Sequence, residues 1–181
     1  MKRSLLLALI LAILPRAAAA QHPLAEGGPY DPAVPTPRNV LGYELGDRFT
    51  PHHLLHRYFE RIAEMSPRVR LDTMAVSFEG REVLLAVVTS EANQRRLDEI
   101  RADARRLADP RGASATELER IVARMPALVW LGYTVHGNEG SGVEAAIAML
   151  YQLAAGQDAE TRMILDSAVV LIDPVQNPDG H

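Results

Sequence analysis

Cysteine is absent from the 181 residues of this chain. Its absence excludes a disulfide framework, a thiolate zinc site, iron–sulfur ligation and a cysteine nucleophile, so only oxygen and nitrogen atoms remain as ligands for a metal. Basic residues are also scarce, since 19 lysines and arginines stand against 23 aspartates and glutamates and give a net charge of −4. A chain with this balance is a poor candidate for binding the phosphates of a nucleic acid, and we expect no nucleic-acid partner.

Long apolar runs are missing too, apart from a short one at the N terminus. Residues 4–14 are almost wholly aliphatic, follow the basic pair Lys2 and Arg3, and are ended by Pro15 and the small residues 17–20. This run is well below the roughly 20 apolar residues that a spanning helix needs, which argues against a membrane anchor. The pattern is typical of a cleaved signal peptide over residues 1–20. We therefore expect a secreted or periplasmic protein with no membrane association after cleavage.

The rest of the composition is that of a folded protein. Of all residues 48% are hydrophobic and 23% are charged, and a length of 181 residues suits one domain or part of a larger one. Five prolines and two glycines fall between residues 21 and 38, where no apolar period survives. We therefore predict an extended leader or linker over residues 21–40 and a domain over residues 41–181.

Apolar periodicity and turn residues predict the order of helices and strands in this domain. They predict, in chain order, a helix capped by Thr50 and ending before Pro67, strands over 69–77 and 82–89, a helix over 91–107, a short helix capped by Ser114, a buried strand over 127–135, a helix ending at Gly156, a short helix over 159–165 and a buried strand over 168–172. The turn Phe78-Glu79-Gly80-Arg81 predicts an antiparallel hairpin. The order indicates an α/β fold, a mixed β-sheet with helices on both faces.

Five arginines lie in the predicted helix over residues 91–107, among several acidic residues. An anion site is one interpretation of this helix. We favour a solvated face on which neighbouring charges pair at helical spacing, as in Glu91–Arg95, Asp98–Arg101 and Asp103–Arg106.

The candidate metal-binding residues follow the third predicted strand. His136-Gly137-Asn138-Glu139-Gly140-Ser141-Gly142 joins the end of that strand to a helix, and ligands in open α/β sheets collect at such ends. An imidazole and a carboxylate three residues apart can reach one metal ion if the backbone between them folds tightly, a freedom that Gly137 supplies. Such ligands suit zinc. The alternative from spacing alone is a core histidine and a solvated glutamate, because a single His-x-x-Glu pair is a weak signal.

Two sequence motifs, in the order in which they occur along the chain, resemble those of a known family. The stretches Gly132-Tyr133-Thr134-Val135-His136-Gly137-Asn138-Glu139-Gly140-Ser141-Gly142 and Asp173-Pro174-Val175-Gln176-Asn177-Pro178-Asp179-Gly180, each after a predicted strand, resemble the zinc metallocarboxypeptidases, the carboxypeptidase A-like family. The first helix and the hairpin also resemble the opening of that family, so the resemblance covers roughly residues 41–181. It implies a Zn²⁺-dependent peptidase that hydrolyses C-terminal bonds of a peptide or protein substrate, with His136 and Glu139 as two of three zinc ligands.

The resemblance also implies residues that the sequence does not contain. In the family the third zinc ligand, a histidine, lies after the Asn177-Pro178-Asp179-Gly180 turn, and so do the glutamate base and the residues that hold the substrate. The sequence stops one residue after this turn. We therefore expect the N-terminal part of a catalytic domain, with its sheet truncated after about four strands. No catalytic residue is assigned within the 181 residues, and the isolated chain is predicted to be inactive.

We interpret the other polar residues near the motifs as structural and do not assign them to the metal site. His181 lies on the wrong side of the turn to match the third ligand of the family. Asp179 is assigned to the turn itself, and Glu144 to a capping box with Ser141. Solvent-facing or packing positions are the simplest interpretation of the three histidines in the first predicted helix, His52, His53 and His56.

Three alternatives to the peptidase stay open at this point. A related zinc deacylase of acyl-amino acids also uses a His-Gly-Asn-Glu stretch, although the Asn-Pro-Asp-Gly turn favours the peptidase. A non-catalytic binding module on the same fold is the second alternative, and a stable structural fragment is the third. The sequence carries no signal for the oligomeric state or for the side chain preferred in the substrate.

Overall fold

The computed structural model describes residues 28–181 and folds them into seven helices and four strands. We number them in chain order: α1 Pro37–Leu41, α2 His52–Met65, β1 Val69–Val76, β2 Glu82–Val88, α3 Glu91–Gln94, α4 Leu97–Ala108, α5 Ala115–Arg124, β3 Ala127–Gly132, α6 Gly140–Ala155, α7 Ala159–Ser167 and β4 Ala168–Asp173. The signal peptide predicted over residues 1–20, and residues 21–27 of the predicted leader, lie outside the described residues.

The four strands form one mixed sheet in the order β1-β2-β4-β3. β1 and β2 are antiparallel, β2 and β4 are antiparallel, and β3 and β4 are parallel. The predicted hairpin is confirmed, and its turn uses Gly80 at a φ of 82°, a left-handed conformation that glycine adopts without strain. Because β3 and β4 are parallel, their carboxyl ends meet at one edge of the sheet, where the His136 loop begins.

Helices cover both faces of the sheet, as predicted. On one face α2 and α6 bury their apolar sides, with Phe59 and Ile147 fully buried against the strands. On the other face Ile100 of α4 packs against Val87 and Val169. The strand residues alternate between the two clusters, which is the period-two pattern of a sheet buried on both sides. Within residues 28–181 none of the helices has the length and apolar character to cross a membrane.

The segment predicted as an extended leader folds in part onto the domain. Thr36 accepts a hydrogen bond from the Asn39 N–H and begins α1, which the sequence prediction missed. Val34 is buried in the core, and the Tyr30 hydroxyl donates to Gln152 of α6 over 2.7 Å. Proline at the first turn of a helix is compatible with helix formation, so a proline-rich composition did not exclude this short one. Where the domain begins stays a prediction.

The arginine-rich helix predicted over residues 91–107 is divided into α3 and α4. The division follows Asn93, which is buried and donates to backbone carbonyls of α7 instead of facing solvent. Of the three predicted ion pairs, the structure contains Glu91–Arg95 at 4.0 Å. Asp103 and Arg106 instead pair with the neighbouring helix α5, Asp103 with Arg124 and Arg106 with Glu117. These side chains therefore join two helices on one face of the sheet.

Candidate metal centre

The loop after β3 brings the two predicted ligand residues together. His136 Nδ1 and Glu139 Oε2 are 3.4 Å apart, and both side chains are more than three-fifths exposed, at 68% and 62%. The Glu139 N–H donates to the His136 carbonyl over 3.0 Å, so the backbone between them turns tightly. Glu139 immediately precedes α6 as its N-cap residue. Both donor atoms are therefore open to solvent at the carboxyl end of β3.

The spacing of these donor atoms suits one metal ion. A nitrogen and an oxygen ligand, each about 2.0–2.2 Å from a tetrahedral zinc ion, lie roughly 3.3–3.5 Å from each other. The observed 3.4 Å between Nδ1 and Oε2 falls within this range. Across residues 28–181 no three histidine, aspartate or glutamate side chains come together as a complete metal site. The described residues thus bring two donor side chains together at this position.

Gly137, between the two ligand residues, is required for a reason different from the one predicted. Its backbone does not adopt a positive φ. A Cβ atom on Gly137 would instead lie 2.2 Å from the carbonyl carbon of Gly180 and 2.6 Å from the Asn177 carbonyl oxygen. Glycine is needed here because the 177–181 segment packs directly on the backbone of the His136 loop. Sequence spacing does not reveal this contact, since the two segments are 40 residues or more apart in the chain.

Thr134, at the start of the same loop, has an uncommon backbone conformation. Its φ is 53°, the left-handed region that β-branched residues rarely enter. Its side chain is buried beside α6, where a Cβ atom on Gly142 would lie 2.5 Å from Thr134 Oγ1. Gly142 therefore makes room for Thr134, and α6 fixes the backbone that leads to His136. Strained conformations of this kind collect at functional sites because the surrounding structure must hold them.

His181 lies next to the loop, and both of its ring nitrogens face backbone carbonyls. Nδ1 is 2.9 Å from the Gly137 carbonyl oxygen and Nε2 is 3.0 Å from the Thr50 carbonyl oxygen. The ring also stacks on Phe49, with the centroids 4.4 Å apart. These contacts use the nitrogens that a metal ligand would need. His181 therefore holds the loop against the segment before α2 and does not join His136 and Glu139 as a ligand.

Glu144 has a role different from the predicted capping box with Ser141. α6 begins at Gly140, so Ser141 is already helical, and the helix has no side-chain cap. The Glu144 carboxylate instead accepts hydrogen bonds from the backbone N–H groups of Thr50, over 3.1 Å, and Gly46, over 3.4 Å. A carboxylate that bonds backbone amides of another segment fixes that segment in place. Glu144 thus anchors the residues before α2 on α6.

Asp173 is a buried carboxyl near the loop that the sequence analysis did not single out for its own chemistry. It ends β4 opposite Gly132 of β3, and its side chain is buried, with Oδ1 lacking a hydrogen-bond partner within the described part of the chain. Burial raises the pKa of Asp173, while hydrogen bonds from Gln176 and Val175 oppose that rise. The available signal was its position as the first charged residue after a buried strand, at the sheet edge where His136 also lies.

Comparison with known proteins supports the resemblance seen in the motifs. A family model described as zinc carboxypeptidase matches residues 55–181. The fold is similar to that of the carboxypeptidase A from Helicoverpa armigera, with a TM-score of 0.52 and 18% sequence identity, over 74% of this chain and 26% of that enzyme's chain. A search of curated protein sequences found no match. The chain therefore spans about a quarter of the length of the enzyme whose fold it shares.

Proposed function

Because the chain belongs to the zinc carboxypeptidase family, we propose that it forms the N-terminal part of an exported peptidase. In this proposal His136 and Glu139 are two of three zinc ligands, and the enzyme hydrolyses the C-terminal peptide bond of a peptide or protein substrate. The observation that carries it is the 3.4 Å between His136 Nδ1 and Glu139 Oε2 at the carboxyl end of β3.

The residues around the loop fit a bound zinc ion. Zinc in such a site would polarise the scissile carbonyl and lower the pKa of its water toward about 7. The chain's own contribution is to place the ligands. The tight turn from His136 to Glu139 sets their separation, and the close packing of Gly137 on the 177–181 segment holds that turn. The first turn of α6 directs backbone N–H groups and the positive end of the helix dipole toward the same region.

Two ligands alone hold zinc weakly. The proposal therefore assigns the third zinc-binding histidine and the glutamate base to residues outside the 181 of this sequence. The isolated chain is then without peptidase activity. The intact mass of the natural protein from the producing cell tests this step. A mass well above 19.8 kDa agrees with it, whereas a mass slightly below that value, consistent with loss of residues 1–20, contradicts the proposal and favours the non-catalytic binding module.

Export is a separate part of the proposal. It rests on the signal-peptide pattern of residues 1–20, which lie outside the described residues. N-terminal sequencing of the mature protein from the periplasm or medium should begin at Gln21. A protein that stays in the cytoplasm with Met1 in place would contradict export without affecting the metal site.

The choice between peptidase and deacylase needs an activity assay on the natural protein. We expect release of the C-terminal residue from a short peptide and no turnover of an acyl-aspartate or acyl-glutamate. His136→Ala and Glu139→Gln should each lower turnover at least a hundredfold, because each removes a zinc ligand. His53→Ala and Glu160→Gln, which change exposed residues of α2 and α7, serve as matched controls. Turnover of the acyl-amino acid alone would replace the peptidase with the deacylase.

A further inference from the structure

Two histidines at the start of α2 face each other across one helical turn. The Nε2 atoms of His52 and His56 are 3.1 Å apart, and the ring centroids are 4.2 Å apart. Residues four positions apart lie on the same side of a helix, and paired histidines at this spacing are a known way for a helix to bind zinc. The sequence analysis interpreted both residues as solvent-facing or packing side chains.

Glu82, the first residue of β2, supplies two further atoms to this pair. Its backbone carbonyl oxygen is 3.2 Å from His52 Nε2, and its carboxylate Oε2 is 3.9 Å from His56 Nδ1, the other ring nitrogen of His56. The negative charge of this carboxylate favours a hydrogen on His56 Nδ1, which leaves Nε2 free to bind a metal. Two oxygen atoms of β2 therefore lie next to the histidine pair of α2.

One arrangement of hydrogens satisfies both hydrogen-bond contacts of His52 Nε2 while the two rings stay neutral. His56 carries its hydrogen on Nδ1, toward the Glu82 carboxylate, and presents a lone pair at Nε2. The His52 Nε2–H is then shared between His56 Nε2 and the Glu82 carbonyl oxygen. The Nε2 atoms of His52 and His56 and the Glu82 carbonyl oxygen therefore surround a single hydrogen. A divalent ion can replace that hydrogen once His52 moves its proton to Nδ1, a change of tautomer that leaves both rings neutral.

From this geometry we propose that His52 and His56 form a second zinc-binding site, with the Glu82 carbonyl oxygen as its third ligand. Two nitrogen ligands of a tetrahedral zinc ion lie roughly 3.3–3.4 Å apart, so the rings need to separate by only a few tenths of an ångström from the observed 3.1 Å. The His56 side chain is 14% exposed, which leaves access for an ion while excluding most of the surrounding water.

The charges around the pair are compatible with a cation. The Arg81 guanidinium acts on His52 electrostatically, and it makes ion pairs with Glu79 and Asp179, which offset its charge. The Glu82 carboxylate adds a negative charge on the side of His56. Bound at this position, the ion would join α2 to β2. Zinc should therefore stabilise the folded chain, since an ion that binds only the native arrangement raises its stability.

The test uses the natural protein carrying His136→Ala and Glu139→Gln, so that its result is independent of the proposed catalytic zinc. Titration with Zn²⁺ alone should show one site, and Zn²⁺ should raise the melting temperature. Adding His52→Ala or His56→Ala should weaken binding at least tenfold and abolish the rise in melting temperature. Glu82→Gln should weaken binding by a smaller factor, because the backbone oxygen remains. His53→Ala, which removes an exposed histidine from the same turn, should have no effect.

Unchanged Zn²⁺ affinity in the His52→Ala and His56→Ala variants would overturn the proposal, as would an equal loss in His53→Ala. X-ray absorption of the zinc-loaded chain with His136→Ala and Glu139→Gln provides a second test that does not depend on the folding of the histidine variants. Scattering from two imidazole rings is expected. A spectrum without imidazole ligands would show that the ion binds elsewhere and would refute the site.

Discussion

The Ser77 hydroxyl donates a 2.5 Å hydrogen bond to the carboxylate of Asp179, 102 residues later in the chain. The same carboxylate accepts from the backbone N–H of Glu79 over 3.1 Å and from the Arg81 guanidinium over 2.9 Å. The hairpin turn between β1 and β2 is therefore bound to the turn that contains Asp179. Because that turn also packs on Gly137, the hairpin indirectly supports the His136 loop.

Asp179→Asn should lower the melting temperature at pH 7 by weakening these three hydrogen bonds. The hydrogen bond from Ser77, followed by those from Glu79 and Arg81, lowers the pKa of Asp179 below its ordinary value of 3.8. A lowered pKa stabilises the folded state at pH values above the unfolded pKa, and this contribution is lost as the pH falls through the folded pKa. The difference in melting temperature between wild type and Asp179→Asn should therefore shrink as the pH falls from about 5 through the ordinary pKa of 3.8 to the lower pKa of the folded state.

Thermal melts of both proteins over this pH range measure the effect. Asp166→Asn is the matched control, because the Asp166 carboxyl is exposed and makes no ion pair within the described part of the chain. It should leave the melting temperature unchanged at each pH. If Asp179→Asn differs from wild type by the same amount at pH 3 and pH 7, then the ionised carboxylate does not stabilise the turn.

Local signals in the sequence were sufficient for most of the fold and for one part of the site. The hairpin follows from Gly80 between two apolar strands, and the 3.4 Å approach of His136 and Glu139 follows from their spacing in a tight turn. Glu144 was misread because its partners, Gly46 and Thr50, lie more than 90 residues earlier. A capping-box pattern describes neighbours in the chain and cannot anticipate such a partner.

The histidine pair of α2 illustrates the same limit. Spacing places His52 and His56 on one side of a helix, but the approach of Glu82 depends on how β2 packs beside that helix. The burial of Asp173 depends likewise on the packing of β3 against β4. Partners across different elements are set by tertiary packing, so only a three-dimensional description reveals them.

Two buried tyrosines should respond in opposite directions to the loss of their hydroxyl groups. Tyr58 is fully buried, and its hydroxyl has no hydrogen-bond partner among residues 28–181. Tyr58→Phe removes an unsatisfied polar group and should raise the free energy of unfolding by about 1 kcal/mol. The Tyr43 hydroxyl donates to Thr50 Oγ1 over 2.9 Å in a buried contact. Tyr43→Phe should therefore lower the free energy of unfolding by about 1 kcal/mol.

Equilibrium unfolding in urea distinguishes the two tyrosine variants, provided that the slope of the unfolding free energy against urea concentration is the same in both. Each substitution deletes one oxygen from a buried ring, so the loss of apolar packing is equally small in the two proteins. A decrease in stability for Tyr58→Phe comparable to that for Tyr43→Phe would show that the Tyr58 hydroxyl is hydrogen-bonded in solution.

Gly137→Ala should disturb the His136 loop more than a comparable change at the start of α6. A Cβ atom at residue 137 would meet backbone atoms of Gly180, His181 and Asn177 at 2.2–2.6 Å, and backbone cannot move aside cheaply. We expect a loss of about 1–3 kcal/mol in the free energy of unfolding, the usual cost of overpacking.

Gly140→Ala is the control, because its Cβ would meet only the Phe49 ring at 2.7 Å, and a side chain can rotate away. Alanine is also the better helix former, so Gly140→Ala should be close to neutral. Urea unfolding of the two variants measures this difference, and equal costs would mean that the 177–181 segment does not rest on the His136 loop in solution.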